Sequence, residues 1–137
     1  MPLVRISLLK GKPAAYRRKV GDAIHQALAE TIDVPAKDRF QLITEHDPED
    51  FVYDREYLGI VRSRDLVIVQ ATISAGRSLH LKRRLYRAIT ERLAAAVQLR
   101  PEDVFVNVIE VAKENWSFGN GIASYAIDAA AAETVAA

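Results

Sequence analysis

The chain repeats itself. Residues 3–45 lie over residues 68–110 without a gap, at a constant offset of 65. Ten of the 43 aligned positions are identical. Val4 meets Val69, Gly11 meets Gly76, Arg18 meets Arg83, Ala23-Ile24 meets Ala88-Ile89, and Leu28-Ala29 meets Leu93-Ala94. Asp38, Phe40 and Glu45 meet Asp103, Phe105 and Glu110 in the same register. Two copies are too few for a solenoid, so the pattern is one supersecondary unit duplicated.

Each copy has the pattern strand, helix, strand. Residues 3–9 and 66–73 are short β-prone runs, punctuated by Gly11 and Gly76. Val20, Ala23, Ile24, Ala27, Leu28 and Thr31 then recur at helical spacing. Leu81, Leu85, Ala88, Ile89, Leu93, Ala96 and Val97 do the same in the second copy. Pro13 and Ser78 stand where helix starts favour them. Residues 39–44 and 104–109 close the units as second strands, and Phe40 and Phe105 fall to the core by repeat symmetry. A crossover of this length makes its two strands parallel and right-handed. The expected fold is α+β: a tandem β-α-β repeat with a four-stranded sheet and both helices on one face. The other face has no cover within the chain and carries many apolar side chains, which predicts an oligomer.

One domain accounts for all 137 residues. The repeat units occupy about residues 2–45 and 67–110, and a C-terminal hairpin and alanine-rich tail fill 111–137. The acidic and aromatic connection from His46 to Asp65 is expected to hold a turn and a short edge strand. The net charge of +1 argues against nucleic acid or a membrane surface as partner. Arg17, Arg18, Lys82, Arg83 and Arg87 belong to solvated helix faces. The chain has no cysteine, which excludes disulfides, thiolate metal sites and cysteine nucleophiles. His25, His46 and His80 show no metal-ligand spacing, so no metal and no cofactor are expected. No apolar run is long enough to span a membrane, and a cytoplasmic protein is the expectation.

The chemistry points to the start of the chain. Methionine aminopeptidases remove Met1 when the second residue is small, which would leave Pro2 with a free secondary amine. A free α-amine titrates near pH ~8, against ~10.4 for lysine, so it can exchange protons near neutrality. Other motifs accompany it in order over about 120 residues: Val34-Pro35-Ala36-Lys37-Asp38-Arg39-Phe40-Gln41, Leu58-Gly59, Arg62-Ser63, Ala75-Gly76-Arg77, Pro101-Glu102-Asp103-Val104, and Asn115-Trp116-Ser117-Phe118-Gly119-Asn120-Gly121. From the residues alone, Asp38 fits either a turn shared with Asp103 or a site carboxylate, Arg77 either the surface or an anion contact, and Trp116 either core or site wall.

A β-α-β duplication with these motifs behind an amino-terminal proline resembles the tautomerase superfamily, and within it the malonate semialdehyde decarboxylase family. The resemblance implies a homotrimer. It implies that Pro2 is the catalytic amine, that Asp38 orients or activates water and assists the proline, and that Arg77 binds a substrate carboxylate. Trp116 and Phe118 would form the apolar wall of the substrate site, with Tyr125 beside them. The better-known members carry Arg-Pro-Arg after the third strand, whereas this chain has Ala75-Gly76-Arg77, the form of a second lineage. The implied activity is decarboxylation of a 3-oxo acid, malonate semialdehyde to acetaldehyde and carbon dioxide, with hydratase side activity. The alternatives are a keto-enol tautomerase, a hydratase or dehalogenase of a small unsaturated acid, and a non-catalytic carboxylate-binding oligomer.

Overall fold

A computed structural model describes residues 1–126. Strand β1 (Leu3–Leu9) leads to helix α1 (Ala14–Ile32) and strand β2 (Gln41–His46). Strand β3 (Val67–Ser74), helix α2 (Leu79–Val97) and strand β4 (Val104–Val111) repeat the sequence of elements. The offset of 65 survives in detail, because α2 begins and ends 65 residues after α1. Pro13 and Ser78 are the helix N-caps, and the Ser78 hydroxyl accepts from the Leu81 N–H at 3.2 Å. Both helices stop at a left-handed residue, Asp33 at φ 56° and Gln98 at φ 55°. Gly11 and Gly76, at φ 127° and 120°, turn each first strand toward its helix, a conformation that glycine alone adopts readily.

The strand order is β2-β1-β3-β4. Strands are parallel within each copy, and β1 runs antiparallel to β3 at the centre. Arg5 pairs with Gln70, its own counterpart in the repeat, so the local two-fold axis passes between these two residues. This antiparallel centre sets the beginning of β1 against the end of β3.

One sheet face packs on both helices. Val4, Ile6, Leu8, Val67, Val69, Ala71 and Ile73 meet Val20, Ile24 and Leu28 of α1 and Leu85, Ile89 and Leu93 of α2, none more than 3% exposed. Full burial of each larger aliphatic side chain contributes ~1.5–3 kcal/mol. The opposite face is mixed rather than uniformly apolar. By strand alternation it carries Arg5, Ser7, Gln70, Thr72 and Asn107 beside the exposed Leu42, Phe105 and Ile109.

Three expectations are corrected. Phe40 and Phe105 are 49% and 45% exposed, because the repeat symmetry that equates them places both on the open side of the sheet. The connection holds two 3-10 turns, Pro48–Asp50 and Tyr57–Gly59, and no strand among the described residues. It is pinned instead by Tyr53, whose hydroxyl donates to the Ser63 carbonyl, and by Arg62, which donates to the Tyr57 and Ile60 carbonyls. After β4 the described chain makes two more 3-10 turns, Lys113–Asn115 and Ser124–Ala126, rather than a hairpin. The bend at Gly119, Asn120 and Gly121 closes on two backbone bonds, Ile122 N–H to the Gly119 carbonyl at 3.5 Å and Ser124 N–H to the Trp116 carbonyl at 3.0 Å. The rest of the expected tail lies outside the described residues. Among those described, no helix is long and apolar enough to cross a membrane.

Candidate active site

The end of the β1–β3 pair gathers the chain start, the loop before β2, the turn after β3 and the segment after β4. Pro2 is buried there and lines a cavity of about 460 Å³ with Leu3, Phe40, Thr72, Trp116 and Phe118. That size falls within the ~300–1,000 Å³ usual for small-molecule sites. A neighbouring cavity of about 400 Å³ is lined by Met1, Ser74, Arg77, Lys113 and Tyr125.

Met1 links the polar groups. Its ammonium donates to the Asp38 carboxylate and, at 2.7 Å, to the Tyr125 hydroxyl oxygen. Its thioether sulfur accepts from the Ser74 N–H at 3.1 Å and lies 3.9 Å from Arg77 Nη1. One methionine therefore spans from the carboxylate to the guanidinium.

Ser74 organises the far side. It is 1% exposed. Its carbonyl accepts from Arg77 Nη1 at 2.7 Å, and its hydroxyl accepts from Trp116 Nε1 at 3.1 Å. Trp116 and Phe118 stack with centroids 5.4 Å apart. Phe118 also meets Phe40 at 5.7 Å and the edge of Tyr125 at 5.4 Å. Burial raises the Tyr125 pKa above the ordinary phenol value; the nearby Asp38 charge adds to this and Arg77 opposes it. Its hydroxyl stays protonated at neutral pH. Glu110, just across from Arg77, is committed elsewhere: Lys82 holds its carboxylate and the Gly76 N–H donates to it at 3.4 Å. Arg77 itself has no carboxylate within ion-pair distance among the described residues.

All six residues singled out from the sequence come to this region: Pro2, Asp38, Arg77, Trp116, Phe118 and Tyr125. Sequence reasoning missed Ser74, Thr72 and Lys113, and it assigned Phe40 to the core. One signal was available, the polar series Gln70, Thr72, Ser74 at every second position of an apolar strand. Chemically, the cluster offers an acid-base amine, a carboxylate, a phenol and a guanidinium around an apolar recess.

The tautomerase enzyme family profiles match residues 2–59 and, separately, residues 38–119. The chain belongs to the tautomerase superfamily. It is an enzyme of that superfamily, and its relatives match it over nearly their whole length. "Probable tautomerase YusQ" of Bacillus subtilis (strain 168) is 37% identical over 88% of this chain and 95% of its own. "Probable tautomerase YrdN" of the same organism is 33% identical over 91% and 96%. Among solved structures, the FG41 malonate semialdehyde decarboxylase inhibited by 3-bromopropiolate is 41% identical, with a TM-score of 0.86 over 93% of this chain and 96% of that one. A second malonate semialdehyde decarboxylase, described as having decarboxylase and hydratase activities, is 31% identical with a TM-score of 0.86 over 93% and 98%.

Proposed function

We propose that removal of Met1 exposes the Pro2 nitrogen and that the processed enzyme decarboxylates a small 3-oxo acid, converting 3-oxopropanoate to acetaldehyde and carbon dioxide. The observation that carries this reading is the span of Met1. One residue, from its terminal ammonium to its thioether sulfur, reaches from Asp38 to Arg77, so its departure leaves room for a three-carbon acid between the same two groups. The likeness to two malonate semialdehyde decarboxylases supports it.

In this mechanism Arg77 holds the carboxylate by charge-assisted hydrogen bonds and fixes its orientation. Protonated Pro2, with Asp38 beside it, lies against the carbonyl oxygen. The bond between the carboxylate and the methylene carbon breaks, and its electron pair passes to the carbonyl oxygen as an enolate, which the ammonium stabilises. Carbon dioxide leaves, and a proton delivered to the methylene carbon gives acetaldehyde. The wall of Trp116 and Phe118 favours the step, because the carboxylate loses its charge as it departs. No cofactor is required. With Asp38 activating water, the same groups would hydrate an alkyne or alkene acid.

A keto-enol tautomerase is the second reading, favoured by the names of the two Bacillus relatives. It needs neutral Pro2 as a base, whereas Asp38, which accepts from the Met1 ammonium, would stabilise positive charge on Pro2 once Met1 is gone. The exposed Leu42, Phe105 and Ile109 on the open sheet face support assembly as a homotrimer, which gives that face a cover.

The test combines intact mass with product detection. Chains lacking Met1 should release acetaldehyde from 3-oxopropanoate. Processed chains that release none, while isomerising an enol acid, would replace the decarboxylase with the tautomerase.

A further inference from the structure

The register that pairs Leu3 with Thr72 sets position 1 opposite Ser74 when carried to the chain start. Neighbouring strand residues direct their N–H groups to opposite sides. Ala75 donates to the Val111 carbonyl of β4, so the Ser74 N–H faces the β1 side, where Met1 lies. Three polar groups of this buried serine have partners, and they differ in permanence. The carbonyl is held by Arg77 and the hydroxyl by Trp116. The N–H has only the Met1 sulfur, at 3.1 Å.

Excision of Met1 would remove that acceptor and no other. A backbone N–H left buried without a partner is rare, because its desolvation is not repaid. Arg77 Nη1 already reaches toward the same sulfur, so two donors converge on one point. A sulfur there occupies the place of a ligand acceptor atom. We propose that in the processed enzyme the Ser74 N–H is a substrate-binding donor, which together with the Arg77 guanidinium receives one oxygen of a small carboxylate. The assignment rests on the proposed removal of Met1 and on a carboxylate substrate, and it adds a backbone contact that no side-chain substitution pattern discloses. It also supplies a second donor where Ala75 offers none.

Amide NMR of the processed protein, titrated with 3-hydroxypropanoate, tests this. That acid has the carboxylate but no carbonyl, so it binds without turnover. The Ser74 amide proton should move downfield on saturation, and its hydrogen exchange should slow about five- to tenfold, the response to one added hydrogen bond. A Pro2→Lys variant, which retains Met1, should show neither change. A Ser74 amide that stays still while the Trp116 indole N–H responds would overturn the assignment, leaving a water as the partner of the N–H, and so would a failure of the acid to bind. The decarboxylase reading is judged separately by acetaldehyde release. Its failure beside a responsive Ser74 amide leaves the oxygen site standing.

Discussion

Asp38 and Asp103 occupy equivalent places in the two repeats, and each receives the start of its own first strand. Asp103 is fully buried and accepts from the N–H and hydroxyl of Ser63, at 2.7 and 2.6 Å, three residues ahead of Leu66, the counterpart of Met1. Asp38 accepts from the terminal ammonium and remains partly open to solvent. One duplicated carboxylate thus clamps a continuing chain in one copy and meets a chain end in the other. The difference arises because the connection before β3 fills in the second copy the space that the first leaves open.

The pair predicts opposite effects of the same substitution. Asp103→Ala removes the acceptor of the half-buried Ser63 N–H and hydroxyl, which costs ~1–3 kcal/mol. Its thermal midpoint should fall by several degrees, with modest loss of turnover. Asp38→Ala should melt near the parent temperature and lose about 10²-fold or more in kcat, the scale of an acid-base partner. Melting curves and steady-state rates of the two variants check this, and equal losses of stability would remove the distinction.

The repeat made the order of helices and strands and the helix starts legible, with strand ends off by one or two residues, because each element was encountered twice. It also made Asp38 ambiguous, since a repeated aspartate looks structural until one copy is seen to meet the terminus. Phe40 and Phe105 misled for a related reason: symmetry equates two positions without saying which face they share. The Ser74 carbonyl and N–H act as backbone atoms and leave no mark on residue choice, whereas its hydroxyl, which accepts from Trp116, shows only as one step of the polar alternation in β3. Lys113 follows β4, and only the fold shows that it shares a cavity with Arg77.

Arg77 and Lys113 should divide the work of holding the carboxylate. Arg77 is anchored to the Ser74 carbonyl, so its guanidinium is aimed, whereas Lys113 is an exposed rim cation. Arg77→Ala is expected to raise KM about tenfold or more, a lost charge-assisted hydrogen bond being worth ~1.5–3 kcal/mol. Lys113→Met should raise KM about two- to threefold, with kcat nearly unchanged and a flatter dependence on salt. Kinetics at low and high ionic strength separate the two. An Arg77→Ala enzyme with the parent KM would exclude a role in binding.

Glu110 supplies a pH signature near the turn that carries Arg77. The hydrogen bond from Lys82, aided by the Gly76 N–H, holds its pKa below the ordinary carboxylate value. The folded state therefore releases this proton more readily than the unfolded chain. The contribution to stability is complete above the unfolded value of ~4.3 and disappears as pH falls through the lower folded value. Glu110→Gln should lose a small stability increment at neutral pH and fall less steeply in acid. Melting series from about pH 3 to 7 for both proteins will show it, and parallel curves would mean the pair is silent.

The fate of the Pro2 nitrogen decides between polarisation and covalent catalysis. A neutral secondary amine attacks an aldehyde to give an iminium, which borohydride reduces to a permanent tertiary amine. A protonated amine has no lone pair for that attack. Asp38 and the Tyr125 hydroxyl oxygen accept from the Met1 ammonium in this structure, and with Met1 removed they are the acceptors proposed for a protonated Pro2; Tyr125, itself protonated, cannot supply a full negative charge. Both contacts favour the cation and so favour polarisation. Enzyme treated with 3-oxopropanoate and borohydride should keep its mass and regain its rate once the reagents are removed. An adduct on the amino-terminal peptide would shift the mechanism to the iminium, and Asp38→Asn should then increase adduct formation, because losing the carboxylate releases the lone pair.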